Sequence, residues 1–278
     1  MSLLKQVRGL MKRETTGQGD NVKPLADLQP NDATVEVMLR IADDIMGQLR
    51  AAREAGSGEA LVVGIVGSVG AGKSTFAQVL KLLLRSECCT GVGVRPGRKG
   101  TSLDGPPPPR VEEVSLDDFL SSQEERFELG INNRWELNAT AEYFAESVLA
   151  KLKTLGADGA VDVPCFSKGL DDRLDTVRTV RGPVDVVLFE GWRIGVDHPN
   201  FYPFNRLVDT LVFLEVDFNA IIDSTVTLYP NPRNSLPSPS IRSLVLLSVS
   251  LSVSVCASLR FARNSGLGTR GSLWSRQK

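Results

Sequence analysis

Residues Gly67-Ser68-Val69-Gly70-Ala71-Gly72-Lys73-Ser74 fit the pattern G-x-x-x-x-G-K-[ST]. Small residues at this spacing let the backbone curl around an anion with its N–H groups pointing inward. The N-terminus of a following helix adds partial positive charge. Lys73 is then positioned to reach the β and γ phosphates of a nucleoside triphosphate and Ser74 to ligate Mg²⁺, while Gly67, Ser68, Gly70, Ala71, Gly72 and Thr75 complete the cradle.

Two further acidic sites follow. Asp117 and Asp118 in Ser115-Leu116-Asp117-Asp118-Phe119 stand at the end of an apolar run, where a carboxylate can take the proton of an attacking hydroxyl or help hold Mg²⁺. The competing reading is a solvated or helix-capping pair. Glu190 ends the apolar run Val186-Val187-Leu188-Phe189, and Gly191 lets the chain turn away. The expected catalytic set is Asp117, Lys73 and Glu190, and the expected metal set Ser74, Asp118 and Glu190.

These residues need a scaffold that brings strand ends to one edge. Leu61 to Gly67 reads as a wholly apolar strand of the kind buried on both faces of a parallel sheet. A helix capped by Asn31 or Asp32 and carrying Val35, Met38, Ile41, Ile45 and Leu49 precedes it, and one starting near Lys73 with Phe76, Val79, Leu80 and Leu83 follows. Further on, the pattern predicts strands at Val111 to Phe119, Val161 to Phe166, Val184 to Phe189 and Thr210 to Val216, with a helix from an Asn138 cap to Leu155. Strands alternating with helices predict an α/β fold, a doubly wound parallel sheet of the P-loop NTPase type. The expected organisation is a loosely ordered segment at 1–31, one domain at 32–223 with a flexible Gly/Pro-rich insertion at about 87–110, and an atypical tail at 224–278.

All 33 acids precede Ser224, whereas seven of the 32 bases follow it. Neither part has the pattern of a nucleic-acid surface, and alternate serines between Arg242 and Arg260 argue against a membrane span. The tail reads as read-through or out-of-frame sequence. Four cysteines without pairable or metal-ligand spacing, and an opening without a secretory core, predict a cytoplasmic location, with organelle targeting as the alternative. His198 is the only histidine, which excludes a histidine-based triad. A GTPase switch is disfavoured, since neither N-K-x-D nor a D-x-x-G after the glycine-rich loop occurs.

The stretches GSVGAGKST, SLDDF and VVLFEGWRIG, in this order, resemble the P-loop small-metabolite kinases that include phosphoribulokinase, uridine kinase, pantothenate kinase and D-glycerate 3-kinase. The segments VDVPCFSKGLDDRLD and VRGPVDVVLFEGW are most similar to the glycerate kinase branch, and the resemblance spans roughly residues 60 to 220. It implies ATP and Mg²⁺ as cofactors and a small-molecule hydroxyl as phosphoryl acceptor, with no nucleic-acid or membrane partner. It also implies that Asp117 is the base, that Lys168, Asp172 and Arg173 lie on the acceptor-facing loop, and that Arg193 contacts phosphate or substrate. Leu120 stands where most relatives have tyrosine. The residues after Val216 depart from the family's arginine-bearing lid and last strand, so the expected fold lacks both. That departure leaves a nucleotide-binding protein without transfer activity as the alternative.

Overall fold

A computed structural model describes residues 9, 11, 32–86, 107–140 and 142–215. Asn31, most of the segment 1–31, the insertion up to residue 106 and the tail 224–278 lie outside the described residues.

Strand β1 (Leu61–Gly67) is buried at every position, as its unbroken apolar run predicts. It pairs in parallel with β5 (Val186–Glu190) on one side and β6 (Thr210–Leu214) on the other, and β2 (Val111–Ser115) pairs in parallel with β5. The order β2-β5-β1-β6 places sequence-distant strands side by side, so the chain crosses over between them.

Helices cover both faces. Helices α1 (Asp32–Glu54) and α2 (Lys73–Arg85) pack Ile41, Ile45, Leu49, Phe76 and Leu80 against Leu61, Val63, Ile65, Val186 and Leu188. Alternate residues of the same strands, among them Val62, Val187 and Phe189, face a second cluster with Val148 and Leu149 of helix α4 (Glu142–Lys153) and with Phe201 and Phe204. The period of two along each strand thus divides one sheet between two apolar cores. The fold is α/β, a doubly wound parallel sheet of the P-loop NTPase type.

The structure departs from the sequence reading in three places. The run predicted as strand to Phe119 leaves β2 after Ser115 and closes into a 3-10 turn over Leu116–Phe119, burying Leu116 and Phe119 three residues apart. Asn138 lies in a separate 3-10 turn, Leu137–Ala139, and the helix expected to start there begins at Glu142. Most consequentially, β3 (Ala160–Ser167) does not join the parallel sheet. It pairs antiparallel with β4 (Asp172–Arg181) as a separate two-stranded ribbon. A short helix, α3 (Gln123–Glu128), opens with a full capping box between Ser122 and Glu125, and α5 (Tyr202–Asn205) closes the second core. Among the described residues, no helix is long and apolar enough to cross a membrane.

Candidate active site

Because the strands run parallel, Gly67, Ser115 and Glu190 all end at the same edge of the sheet, where ligands bind in open α/β folds. Gly67 closes β1, Ser68 to Gly72 form the loop, and Lys73, Ser74 and Thr75 are the first three residues of α2. Gly70 and Gly72 take positive φ angles of 82° and 79°, the left-handed backbone that a side chain would disfavour. Ala71 is buried and its N–H donates to the Ser68 carbonyl at 3.1 Å, curling the loop. Lys73 Nζ donates to the same carbonyl at 2.9 Å, so the ammonium arches over the cradle. Burial pulls the Lys73 pKa down, while Glu190 and Asp117 pull it back up.

Glu190 is the convergence point. Its Oε1 accepts from Ser74 Oγ at 3.1 Å and from Ser115 Oγ at 2.5 Å. The β2–β5 register, which sets Ser115 opposite Glu190, creates the second bond. Burial pushes the Glu190 carboxyl up, the charge of Asp117 adds to that, and Ser115, Lys73 and Lys168 oppose it. Gly191 follows at a close approach, for a Cβ there would stand 2.6 Å from Leu116 Cβ.

Across this edge the 3-10 turn presents Asp117. Its Oδ2 lies 2.8 Å from Lys168 Nζ, so the expected base and the expected acceptor-side cation form an ion pair, each partly exposed. The turn is shaped by Ser115, whose Oγ accepts from the Asp117 N–H at 3.3 Å.

Other expected residues stand elsewhere. Asp118, expected at the metal, turns Oδ1 to the Phe166 amide at 3.3 Å, and burial pushes its carboxyl up to about 6. Asp172 and Arg173 do not face the acceptor side freely. Asp172 Oδ1 accepts from Gln123 N at 2.8 Å, and Arg173 donates to Glu125 Oε1 at 2.9 Å and to the Leu120 carbonyl, stapling the ribbon to α3. Arg193 is 1% exposed, so it cannot serve as an open phosphate contact. It donates to Thr140 Oγ1 and to the Trp135 and Glu136 carbonyls, the last at 2.6 Å, with the Trp192 ring 4.4 Å from its Cζ. Arg193 therefore anchors the 135–140 loop to the end of β5. Arg193→Met should strand those acceptors and cost about 2–3 kcal/mol, read as a lower urea midpoint with unchanged slope.

Among the described residues, no cluster of three or more His, Cys, Asp or Glu could hold a metal ion. The Ser74–Glu190 pair nevertheless suits Mg²⁺, which uses few protein oxygens and completes its octahedron with water and phosphate.

Sequence reasoning missed Ser115, although its place opposite Glu190 follows once β2 and β5 pair. It also missed Glu113, two residues earlier on the same face. Burial pushes the Glu113 carboxyl from 4.5 up to about 7, with the charge of Glu190 adding and Lys81 and Arg178 opposing. A raised folded-state pKa means that the folded chain binds more protons than the unfolded one in that window. Stability from this group is therefore full below about pH 4.5 and lost as pH rises through about 7. Glu113→Gln should flatten that slope, leaving the variant more stable above pH 7 by up to about 3 kcal/mol and no more stable below 4.5, as measured by urea unfolding across pH.

The glycine-rich loop after β1 and the acid at the end of the neighbouring β5 are joined by a sequence match that decides the lineage. The sequence profile of the phosphoribulokinase/uridine kinase family matches residues 62–224. The chain belongs to the phosphoribulokinase/uridine kinase family. The curated relatives include a pantothenate kinase of Rhizobium rhizogenes, 30% identical over 173 residues, which cover 61% of this chain and 45% of the relative. A pantothenate kinase of Shewanella amazonensis is 29% identical over 56% of this chain and 45% of its own. The chain thus spans about half the length of the curated relatives it matches. Among solved structures, D-glycerate 3-kinase from Cryptococcus neoformans superposes with a TM-score of 0.52 at 20% identity, covering 69% of this chain and 77% of its own. YFH7 from Saccharomyces cerevisiae gives 0.51 at 15% identity, covering 70% and 88%. At those identities the likeness is one of fold.

Proposed function

We propose that this chain transfers the γ-phosphoryl group of ATP to a hydroxyl of a small metabolite. The observation that carries the reading is the Asp117–Lys168 ion pair at the sheet edge that also bears the glycine-rich loop and the Ser74–Glu190 pair. It sets a carboxylate beside the phosphate cradle, on the side where an acceptor alcohol would enter.

In this reading the loop N–H groups and Lys73 hold the β and γ phosphates, and Ser74 and Glu190 would hold Mg²⁺. That ion, when bound, offsets charge on the phosphate oxygens. Asp117 Oδ2 accepts the proton of the acceptor hydroxyl as its oxygen bonds to the γ phosphorus and the bond from that phosphorus to the β-phosphate oxygen breaks, releasing ADP. Lys168 pairs with Asp117 and orients its carboxylate. Little covalent chemistry is asked of the protein, so catalysis is positioning and charge stabilisation. Glycerate is the first candidate acceptor, supported by the ribbon and FEGW segments. Pantothenate, supported by the curated relatives, and uridine or a sugar phosphate come next.

The test is ADP release from Mg-ATP by the purified full chain with glycerate, pantothenate, uridine or ribulose 5-phosphate. Acceptor-dependent release names the substrate. Tight ATP binding without acceptor-dependent release would overturn transfer and leave a nucleotide-binding protein.

A further inference from the structure

The ribbon turn that carries Lys168 is held by a residue outside the expected site. Asp171 has a φ of 55°, left-handed backbone at a residue other than glycine, which aspartate tolerates better than most side chains. Its Oδ2 accepts from Arg126 Nη2 at 2.9 Å and its Oδ1 from Arg134 Nη1 at 2.6 Å, so one carboxylate grips two guanidinium groups. Its backbone carbonyl accepts from Arg126 Nη2 as well, at 2.7 Å. Both arginine side chains are largely buried, at 5% and 13% exposure. Arg126 is itself fixed by donating to the Ser121 carbonyl at 2.6 Å, close in sequence to the Asp117 turn.

The link to the reacting groups runs through Arg134. The same Nη1 that meets Asp171 also donates to the Lys168 carbonyl at 3.3 Å, and the Lys168 ammonium meets Asp117 at 2.8 Å. A strained aspartate between two sequestered arginines is a costly way merely to turn a hairpin, for which glycine would serve. What the arrangement adds is a fixed origin for the Lys168 side chain.

We propose that Asp171 is a positioning residue: it clamps the ribbon turn through Arg126 and Arg134 so that Lys168 meets Asp117. The part of this concerning rate rests on the phosphoryl-transfer reading, whereas the part concerning Lys168 does not.

Two measurements on the full chain separate these. Asp171→Asn keeps the side-chain size and the tolerance of left-handed backbone but removes the charge. In the first measurement, lysines are acetylated competitively in the folded protein, and Lys168 modification is read by mass spectrometry against exposed Lys151. Release from Asp117 should raise the Lys168:Lys151 ratio severalfold in Asp171→Asn, because an ion-paired ammonium reacts slowly. An unchanged ratio overturns the proposal, whether or not the protein transfers phosphate.

The second measurement is a double-mutant cycle on transfer kinetics with Lys168→Met. Asp171→Asn should lower kcat roughly ten- to a hundredfold with KM for ATP unchanged, and should add almost nothing once Lys168 is gone. An equal loss in both backgrounds would mean a merely structural role and overturn the proposal. Absence of transfer in the parent chain would overturn the proposed function instead, and the acetylation ratio would still decide the role of Asp171.

Discussion

Lys73→Ala is expected to weaken Mg-ATP binding by roughly two to three orders of magnitude, the cost of deleting one charged partner from a sequestered contact. The half-buried Lys73 ammonium donates to the Ser68 carbonyl of the loop, with Glu190 and Asp117 favouring its charged form. Alanine removes that charge, and it also takes from Glu190 one of the cations that hold its carboxyl pKa down. Titration calorimetry with Mg-ATP reads the first effect directly. Binding at the parent's affinity would refute the phosphate-cradle assignment of Gly67 to Ser74.

Asp117→Asn should leave ATP affinity nearly intact while cutting any transfer rate by about two to four orders of magnitude, the usual range for loss of a general base. The asymmetry follows from position. Asp117 is paired with Lys168, which the proposed reading sets on the acceptor side, whereas the glycine-rich loop that would hold phosphate runs between β1 and α2. An asparagine keeps the turn, because the Ser115 Oγ bond goes to the backbone N–H of residue 117 and not to its side chain. Single-turnover kinetics with saturating ATP separates the two terms. A variant that loses ATP affinity and keeps its transfer rate would move Asp117 from base to nucleotide ligand.

The parts of this site legible in the sequence are those whose signal is local. A strand buried on both faces must be apolar throughout, so β1 and β5 announce themselves, and the glycine spacing marks the loop between β1 and α2. What escaped has a non-local cause. Strand β4 was not recognised because most of its residues are exposed, and text such as Thr176-Val177-Arg178-Thr179 carries no buried face. Its partner β3 does alternate, but the sequence alone cannot say that the pairing is with β4 and not with the central sheet. Glu113 reads in the sequence as an ordinary charged residue and Arg193 as a phosphate or substrate contact, and only packing across β2, β5 and the 135–140 loop buries them. Asp172 and Arg173, expected on the acceptor-facing loop, open β4 and are engaged by Gln123, Glu125 and Leu120, partners some fifty residues earlier that no local pattern announces.

The separation of the β3–β4 ribbon from the four-stranded sheet bears on how such a chain can change over generations. In the proposed reading the groups that would grip phosphate stand at the ends of the central strands and the start of α2, on the frame that separates the two cores. Lys168, by contrast, sits in the turn of the ribbon: Val161, Val163 and Val180 bed the strands in the second core, whereas the turn end is held by side-chain clasps to the 120–136 segment. If the chain transfers phosphate as proposed, drift confined to that turn would reshape the acceptor side while leaving the glycine-rich loop and both apolar cores untouched.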